Sequence, residues 1–590
     1  MSPVKAASAD RPNIVIILAD DQGYGDFSLN GNPWVRTPHI DSLAKEGARF
    51  ERFYVNSFCA PTRAALLTGR YPVRCGVWGV THNHEAMRPS EVTIAEAFKA
   101  SGYRTACIGK WHNGEQFPFT PPGQGFDEFF GFHNGHINNY FNTKLIRNAH
   151  TEPTTGYITD VLTNDAIRFI IHSSSGENST PFFCYVPFNA PHSPYQVPDQ
   201  YYDRFRKMGF DESVSAFWGM CENIDDNVGR LLKTLDDLRI ADNTIVVFLT
   251  DNGGTAGVKL FNAGMRGGKT SVHEGGCRVP MHIRWPNHIP AGRVVQQIAS
   301  HIDIYPTLIE LAGLLAPPGP QTDGVSLVPL LQGNGTNWPD REIYTHNPIS
   351  ETNRYPGAVR TQRYRLVREI KGPQGGSSAR AKDDSATDWQ LYDMHSDPAE
   401  VTNIAERHPD IVQQLSEQYE RWIDETHETP LQQFAIPVGH EQERPVWLMA
   451  PQASVEPPLH FANGPGFAHD WLTGWTSIDS QIRFDVDIQH EDDYTIDLQF
   501  SCDESSAGSE ISLNTDSKET LSVIVPAAPP SEIPLPHRDQ RGRSRYRNRD
   551  WAILPIGTVH LTPGRQSLTL SAETLPGKTV MDLKAIRVSW

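Results

Sequence analysis

The stretch "NIVIILADD", residues 13–21, decides the fold. From Ile14 to Ala19 the run is unbroken and apolar, with no polar residue at alternate positions, and it stops on two carboxylates. An apolar run of this kind fits a strand covered on both faces, the condition of a parallel sheet layered between helices. Working outward, three more stretches have the same character: "RTACIGKWH" (104–112), "PFFCYVPFNAPH" (181–192) and "TIVVFLTDNGG" (244–254). Helical patterns at 93–100, 160–172 and 213–238 lie between them, and "DIYPTLIELAG" (303–313) closes the region. Strand alternating with helix predicts an α/β domain with a mostly parallel central sheet flanked by helices.

The remainder of the chain reads differently. Candidate strands at 342–346, 357–368 and 389–394, a helix at 409–426 and a Gly/Ser-rich loop, "KGPQGGSSARAKDDSATD" (371–388), predict a small α+β subdomain. "PVGHEQERP" (437–445) reads as a link. Beyond it, alternating stretches at 482–488, 494–500, 558–562 and 584–590 predict a β-sandwich-like accessory domain. The expected division is therefore 1–10 as a disordered tail or the remnant of an export signal, 11–339 as the α/β domain, 340–436 as the subdomain, 437–445 as a linker and 446–590 as the accessory domain.

At 590 residues the chain exceeds a single simple core. Its formal charge of −18 argues against general nucleic-acid binding, which needs a surplus of Lys and Arg. No apolar run approaches the ~20 residues of a membrane span. Cysteines stand at 59, 75, 107, 184, 221, 277 and 502, and no two have the close spacing of a zinc ribbon.

In an open α/β sheet the ligand site lies beyond the carboxyl ends of the strands. The four runs deliver Asp20 and Asp21, Lys110 and His112, His192, and Asp251 and Asn252 to that edge. Three carboxylates and an amide form an all-oxygen set suited to Ca2+ or Mg2+ rather than zinc. A single Asp at a strand end is commonplace, as a cap or a turn; the convergence of four such ends is not. Arg63, Lys110 and Lys269 add positive charge for a tetrahedral oxyanion, and His112 and His192 are candidate proton-transfer groups. In "FCAPTRAALLTGRYP" (58–72), Pro61 suits the first helical position, which puts Cys59 at a helix N-terminus. The helix dipole would lower its thiol pKa. A phosphatase-like thiolate loop, however, needs C-x5-R, and here Arg63 follows after three intervening residues.

"CAPTRAALLTGR" resembles the sulfatase signature, C-x-P-[ST]-R followed by T-G-R. Its companions stand in the family's order: "LADDQGYGD", "GKWH", "PH", "TDNGG", "RGGK" and "EGGCRVP", with "QLYDMHSDPAEVTNIA" resembling the C-terminal subdomain. The likeness covers about residues 11–430. It implies an alkaline-phosphatase-like fold and conversion of Cys59 to formylglycine by a formylglycine-generating or equivalent maturase. It also implies Ca2+ (or Mg2+) on Asp20, Asp21, Asp251, Asn252 and the modified residue 59. Arg63, Lys110, His112, His192 and Lys269 would hold and process the sulfate. The implied enzyme is a secreted or periplasmic sulfatase acting on a sulfated carbohydrate or polysaccharide. A phosphonate monoester or phosphodiester hydrolase of the same superfamily is the alternative, and a non-catalytic glycan-binding protein the more distant one. Trp447, Trp471, Trp475 and Trp551, with the arginines of "HRDQRGRSRYRNRD" (537–550), Arg543, Arg545 and Arg547 foremost, are candidate sugar and sulfate contacts. Their alternative reading is sandwich core and a solvated loop.

Overall fold

The computed structural model describes residues 11–175, 179–335, 338–347, 353–370, 386–427, 431, 433–464, 466–533 and 548–590. The N-terminal tail, most of the 371–388 loop, and Arg543, Arg545 and Arg547 lie outside the described residues.

The four apolar runs lie side by side. An 11-stranded mixed sheet runs in the order Arg293–Val295, Ala48–Tyr54, Arg278–Arg284, Thr244–Thr250, Asn13–Ala19, Phe182–Pro187, Arg104–Lys110, Glu128–Phe132, Lys144–Arg147 and His150–Pro153, with the short Ala299–Ser300 strand also pairing with Ala48–Tyr54. From Thr244–Thr250 to Glu128–Phe132 every neighbour is parallel. Antiparallel pairs lie on both flanks of that block, through Arg278–Arg284 and the 144–153 hairpin. The Asn13–Ala19 strand shows why its sequence is apolar throughout. Ile14, Ile16 and Leu18 enter one core, with residues of the helices Cys59–Thr68, Ile94–Ala100 and Ile304–Leu311. Val15, Ile17 and Ala19 enter the opposite core, with Pro38–Glu46, Ile158–Ser174 and Glu212–Asp237. Successive side chains leave a strand on opposite faces, so two covered faces require two apolar sets.

The region after 340 holds a four-stranded antiparallel sheet, Ile343–His346, Gly357–Arg360, Tyr364–Arg368 and Gln390–Asp393. The single strand expected at 357–368 is a hairpin, turned by Thr361, whose Oγ1 accepts from the Tyr364 amide at 3.0 Å. Leu415, Tyr419, Trp422 and Ile423 of the Pro409–Thr426 helix share a core with Val359, Leu366, Leu391 and, from the first region, Ala65 and Tyr71.

The C-terminal region is two sheets enclosing one core. Ile482, Phe484 and Val486 of one sheet meet Ile496, Leu498, Ile586 and Val588 of the other. The strict in-out burial of Gln481–Ile488 matches a sheet with one wet face. Pro437 and Val438, read as part of a link, lie in the strand Ile436–Val438, which pairs in parallel with Gln481–Ile488. Among the described helices none is long and apolar enough to cross a membrane.

Candidate active site

Beyond the carboxyl ends of the parallel strands the polar residues meet. Backbone bonds fix the convergence: the Asp251 amide donates to the Ala19 carbonyl at 3.1 Å, Asp20 N to Ala190 O at 3.0 Å, and His112 N to His133 O at 2.8 Å. Asp21 (φ 71°) and His112 (φ 64°) leave their strands through the left-handed region. Non-glycine residues avoid that conformation unless the surroundings hold them in it, a feature concentrated at functional sites.

The carboxylates are matched with cations. Lys110 Nζ is 2.6 Å from Asp20 Oδ2, and Lys269 Nζ is 2.6 Å from Asp21 Oδ1. Arg63 is completely buried. Its Nη2 and Nε donate to Asp251 Oδ2 at 2.8 and 3.2 Å, and its Nη1 to the Lys110 carbonyl at 3.1 Å. The expected sulfate-holding arginine therefore spends these donors on Asp251 and on the backbone that carries Lys110. The Cys59 helix begins at the cysteine itself, with Pro61 in the first turn, where a missing amide costs no helical bond.

The oxygen set fits a hard cation. Asp20 Oδ1 and Asn252 Oδ1 are buried and have no hydrogen-bond partner among the described residues. Leaving such acceptors unpaired is costly, and a cation would satisfy both. Burial, then the neighbouring Asp251 carboxylate, raises Asp20 to about 8. At Asp21 burial opposes ionisation but is overcome by Lys269, ahead of His192, and its carboxyl titrates below the usual range. Single ligand atoms of Asp20, Cys59 and Asp251 lie within 4.8 Å of one another, as do those of Asp20, Asp21 and His192. A thiol is the one soft donor in this set, and an oxygen at position 59 would make the donors uniform. Burial raises the Cys59 thiol, with Lys110 and Lys269 opposing it, so the side chain is a thiol rather than a thiolate at neutral pH.

The histidine tautomers follow from their partners. His112 Nε2 lies 2.8 Å from the Val80 carbonyl, and His192 Nδ1 lies 2.6 Å from the Ser193 carbonyl. A carbonyl only accepts, so those nitrogens carry the protons and leave His112 Nδ1 and His192 Nε2 as lone pairs. His192 Nε2 is 3.8 Å from Asp21 Oδ2. Burial, then Lys110, pushes His112 well below the usual imidazole range; burial, then Lys269, lowers His192 to about 3. Both rings are neutral.

The sequence reading missed His136. Its ring lies parallel to that of His192, 5.7 Å away and 11° out of plane, and it is buried. The available signal was "GFHNGH" (131–136), a turn just past a strand end. Of the four tryptophans proposed for sugar, Trp475 is fully buried in the sandwich core. Trp471 is also buried, with Arg549 4.3 Å above its ring and Trp551 at its edge.

A sulfatase family model matches residues 12–314, and a model of the C-terminal region of N-sulphoglucosamine sulphohydrolase matches 268–425. The chain is 35% identical to N-acetylgalactosamine-6-sulfatase of Sus scrofa over 361 residues, 56% of this chain and 67% of that one. It is 32% identical to arylsulfatase A of Homo sapiens over 455 residues, 70% of this chain and 87% of that one. The crystal structure of Ps i-CgsB in complex with k-i-k-neocarrahexaose superposes with a TM-score of 0.64 at 30% identity, covering 72% of this chain and 94% of that one. With half the chain matched by the family model and 87% of arylsulfatase A covered at 32% identity, the chain belongs to the sulfatase family and is a sulfuric ester hydrolase.

Proposed function

We propose that this sulfatase removes sulfate from a carbohydrate or polysaccharide, using formylglycine made from Cys59 and Ca2+ held by Asp20, Asp21, Asp251 and Asn252. The observation that carries the substrate class is the likeness to Ps i-CgsB, whose structure holds k-i-k-neocarrahexaose and matches this chain over 94% of its own length. N-acetylgalactosamine-6-sulfatase, by its name a sugar sulfatase, supports the same class. A maturase that modifies Cys59 and an extracytoplasmic location, secreted or periplasmic, belong to the same reading.

Ca2+ supplies Lewis-acid polarisation of the ester, and a hydrated aldehyde at position 59 supplies two hydroxyls on one carbon, one to attack sulfur and one whose deprotonation expels sulfate. The protein's own residues do the rest. Lys110 and Lys269 bring ammonium groups to the carboxylate cluster, preplaced for sulfate oxygens. Arg63 holds Asp251 and the Lys110 backbone in register. His112 Nδ1, a buried lone pair on the residue before Asn113, whose side-chain amide bonds the Ala60 carbonyl, takes the proton of the remaining hydroxyl. His192 Nε2 serves the leaving alcohol, and a bound anionic sulfate would raise its pKa toward the proton-donating range.

The test is sulfate release measured across defined sulfated oligosaccharides, a small aryl sulfate, and phosphate and phosphonate monoesters. The proposal expects glycan sulfate esters to have the highest kcat/KM. Rapid aryl turnover with every glycan inert would overturn the substrate class, and a preference for phosphonate esters would favour the sister activity.

A further inference from the structure

The accessory region reaches the histidines of the site. His469 Nε2 lies 2.7 Å from the His136 carbonyl, and the His469 ring meets the His136 ring edge-on at 5.3 Å. Phe467 meets the same ring edge-on at 6.2 Å. His136 in turn lies parallel to His192. A row of aromatic rings thus runs from the sandwich to the group assigned to the leaving alcohol.

The contact is anchored at several points. The Gly466 amide donates to Thr81 Oγ1 at 3.2 Å, Phe461 packs edge-on against His82 at 4.9 Å, and Gln452 bonds Asn83 and Gln116 at 2.6 and 2.9 Å. On the sandwich side the buried Lys584 donates to the Asp470 carbonyl at 3.0 Å. The contacts to Thr81, His82 and Asn83 fall directly after Val80, the partner of His112. Within the segment, Ala468 and Asp470 are buried anchors, whereas Phe467 and His469 stay half-buried.

We infer that the accessory region supplies one wall of the leaving-group subsite, with Phe467 as a specificity-determining residue that packs against the sugar ring bearing the ester. The inference rests on the sulfate-ester reading and on His192 standing beside the leaving oxygen. A sugar whose oxygen meets His192 Nε2 must occupy the space next to that ring, and the ring stacked on His192 is His136, against which Phe467 and His469 pack edge-on. An aromatic face and neutral imidazoles suit the C–H face and hydroxyls of a pyranose. A planar aryl group, lacking ring hydroxyls and smaller in reach, makes less use of such a wall.

Steady-state kinetics of the full chain on its best sulfated oligosaccharide and on a small aryl sulfate test this, for wild type, Phe467→Ala and Phe467→Leu. The readout is the ratio of kcat/KM on glycan to kcat/KM on aryl sulfate. Phe467→Leu keeps the apolar bulk while removing the aromatic face, and thermal unfolding of each variant guards against misfolding. The inference expects the ratio to fall about fivefold or more in both folded variants, mainly through KM. A fall of less than about fivefold in a folded variant of an active enzyme overturns the inference alone. A wild type inactive on both sulfates overturns the sulfate-ester reading and the inference with it.

Discussion

Asp251 carries two tasks that a single substitution would separate from the rest of the site. It faces Arg63 through two bonds to one oxygen, and it belongs to the oxygen set proposed for the cation. Asp251→Ala should lose bound Ca2+, measured by elemental analysis, and leave the buried Arg63 guanidinium only Asp20, 3.7 Å away, and the Lys110 carbonyl, at a cost of up to about 3–5 kcal/mol. Chelation of the wild type should abolish sulfate release, with Ca2+ restoring it; rescue by zinc alone would contradict the oxygen-donor reading. Lys110→Ala should lower kcat by about 10²–10³, the usual cost of deleting one preplaced charge-stabilising donor, with KM moving less. At this scale the sequence was informative because the reactive types stand directly after strand ends. It named Arg63 but not its bonds to Asp251 and the Lys110 carbonyl, because spacing gives proximity and not which donors are already engaged. It was silent on His136, because a ring stacked behind His192 has no sequence signature.

The elements place those residues through close backbone packing as much as through side chains. Gly109 lies in the strand Arg104–Lys110, one residue before Lys110, at φ 144°. A Cβ there would stand 1.9 Å from the Pro187 carbonyl oxygen of the neighbouring strand. Gly109→Ala should therefore push two central strands apart, lower the thermal midpoint by several degrees and depress sulfate release through displaced Lys110. Gly102, where an added Cβ would meet nothing within 4 Å, should show only the smaller penalty of its positive φ. The four central strands were legible because both of their faces are covered, leaving long apolar runs. The flanking strands Ala48–Tyr54 and Lys144–Arg147 were not read from sequence, since their polar residues break any run and tertiary pairing alone makes them strands. The 357–368 hairpin was missed because Thr361-Gln362-Arg363 lacks the glycine that usually marks a tight turn.

Across the whole molecule the junction between the catalytic and accessory regions gathers carboxyl groups away from water. Burial, then Glu115, raises Glu85 to about 8, and burial outweighs the Phe117 amide bond to bring Glu443 to about 8 as well. Both are held neutral in the folded chain and ionise near 4.5 when unfolded. The native state binds more protons between those values, so this contribution is complete below about pH 4.5 and is lost as pH rises through about 8. Lys584, lowered by burial to about 8 from 10.5, acts above that window. Glu85→Gln has no carboxyl to ionise, so its thermal midpoint relative to wild type should rise from pH 5 to pH 8; a difference that stays constant over that range would contradict the neutral assignment. The sandwich itself was legible from strict alternation, as in Gln481–Ile488, but its approach to His136 was not. A loop such as Phe461–Trp471 carries no periodicity, and its partners lie more than 300 residues away in the chain. On the proposed mechanism, activity resides in a converted Cys59. The most direct measurement is the mass of the peptide spanning residue 59, taken from a preparation whose sulfate release has been quantified. Formylglycine lowers the residue mass by about 18 Da relative to cysteine, and the converted fraction should track specific activity. Full sulfate-releasing activity in protein whose residue 59 is entirely unmodified cysteine would contradict the account.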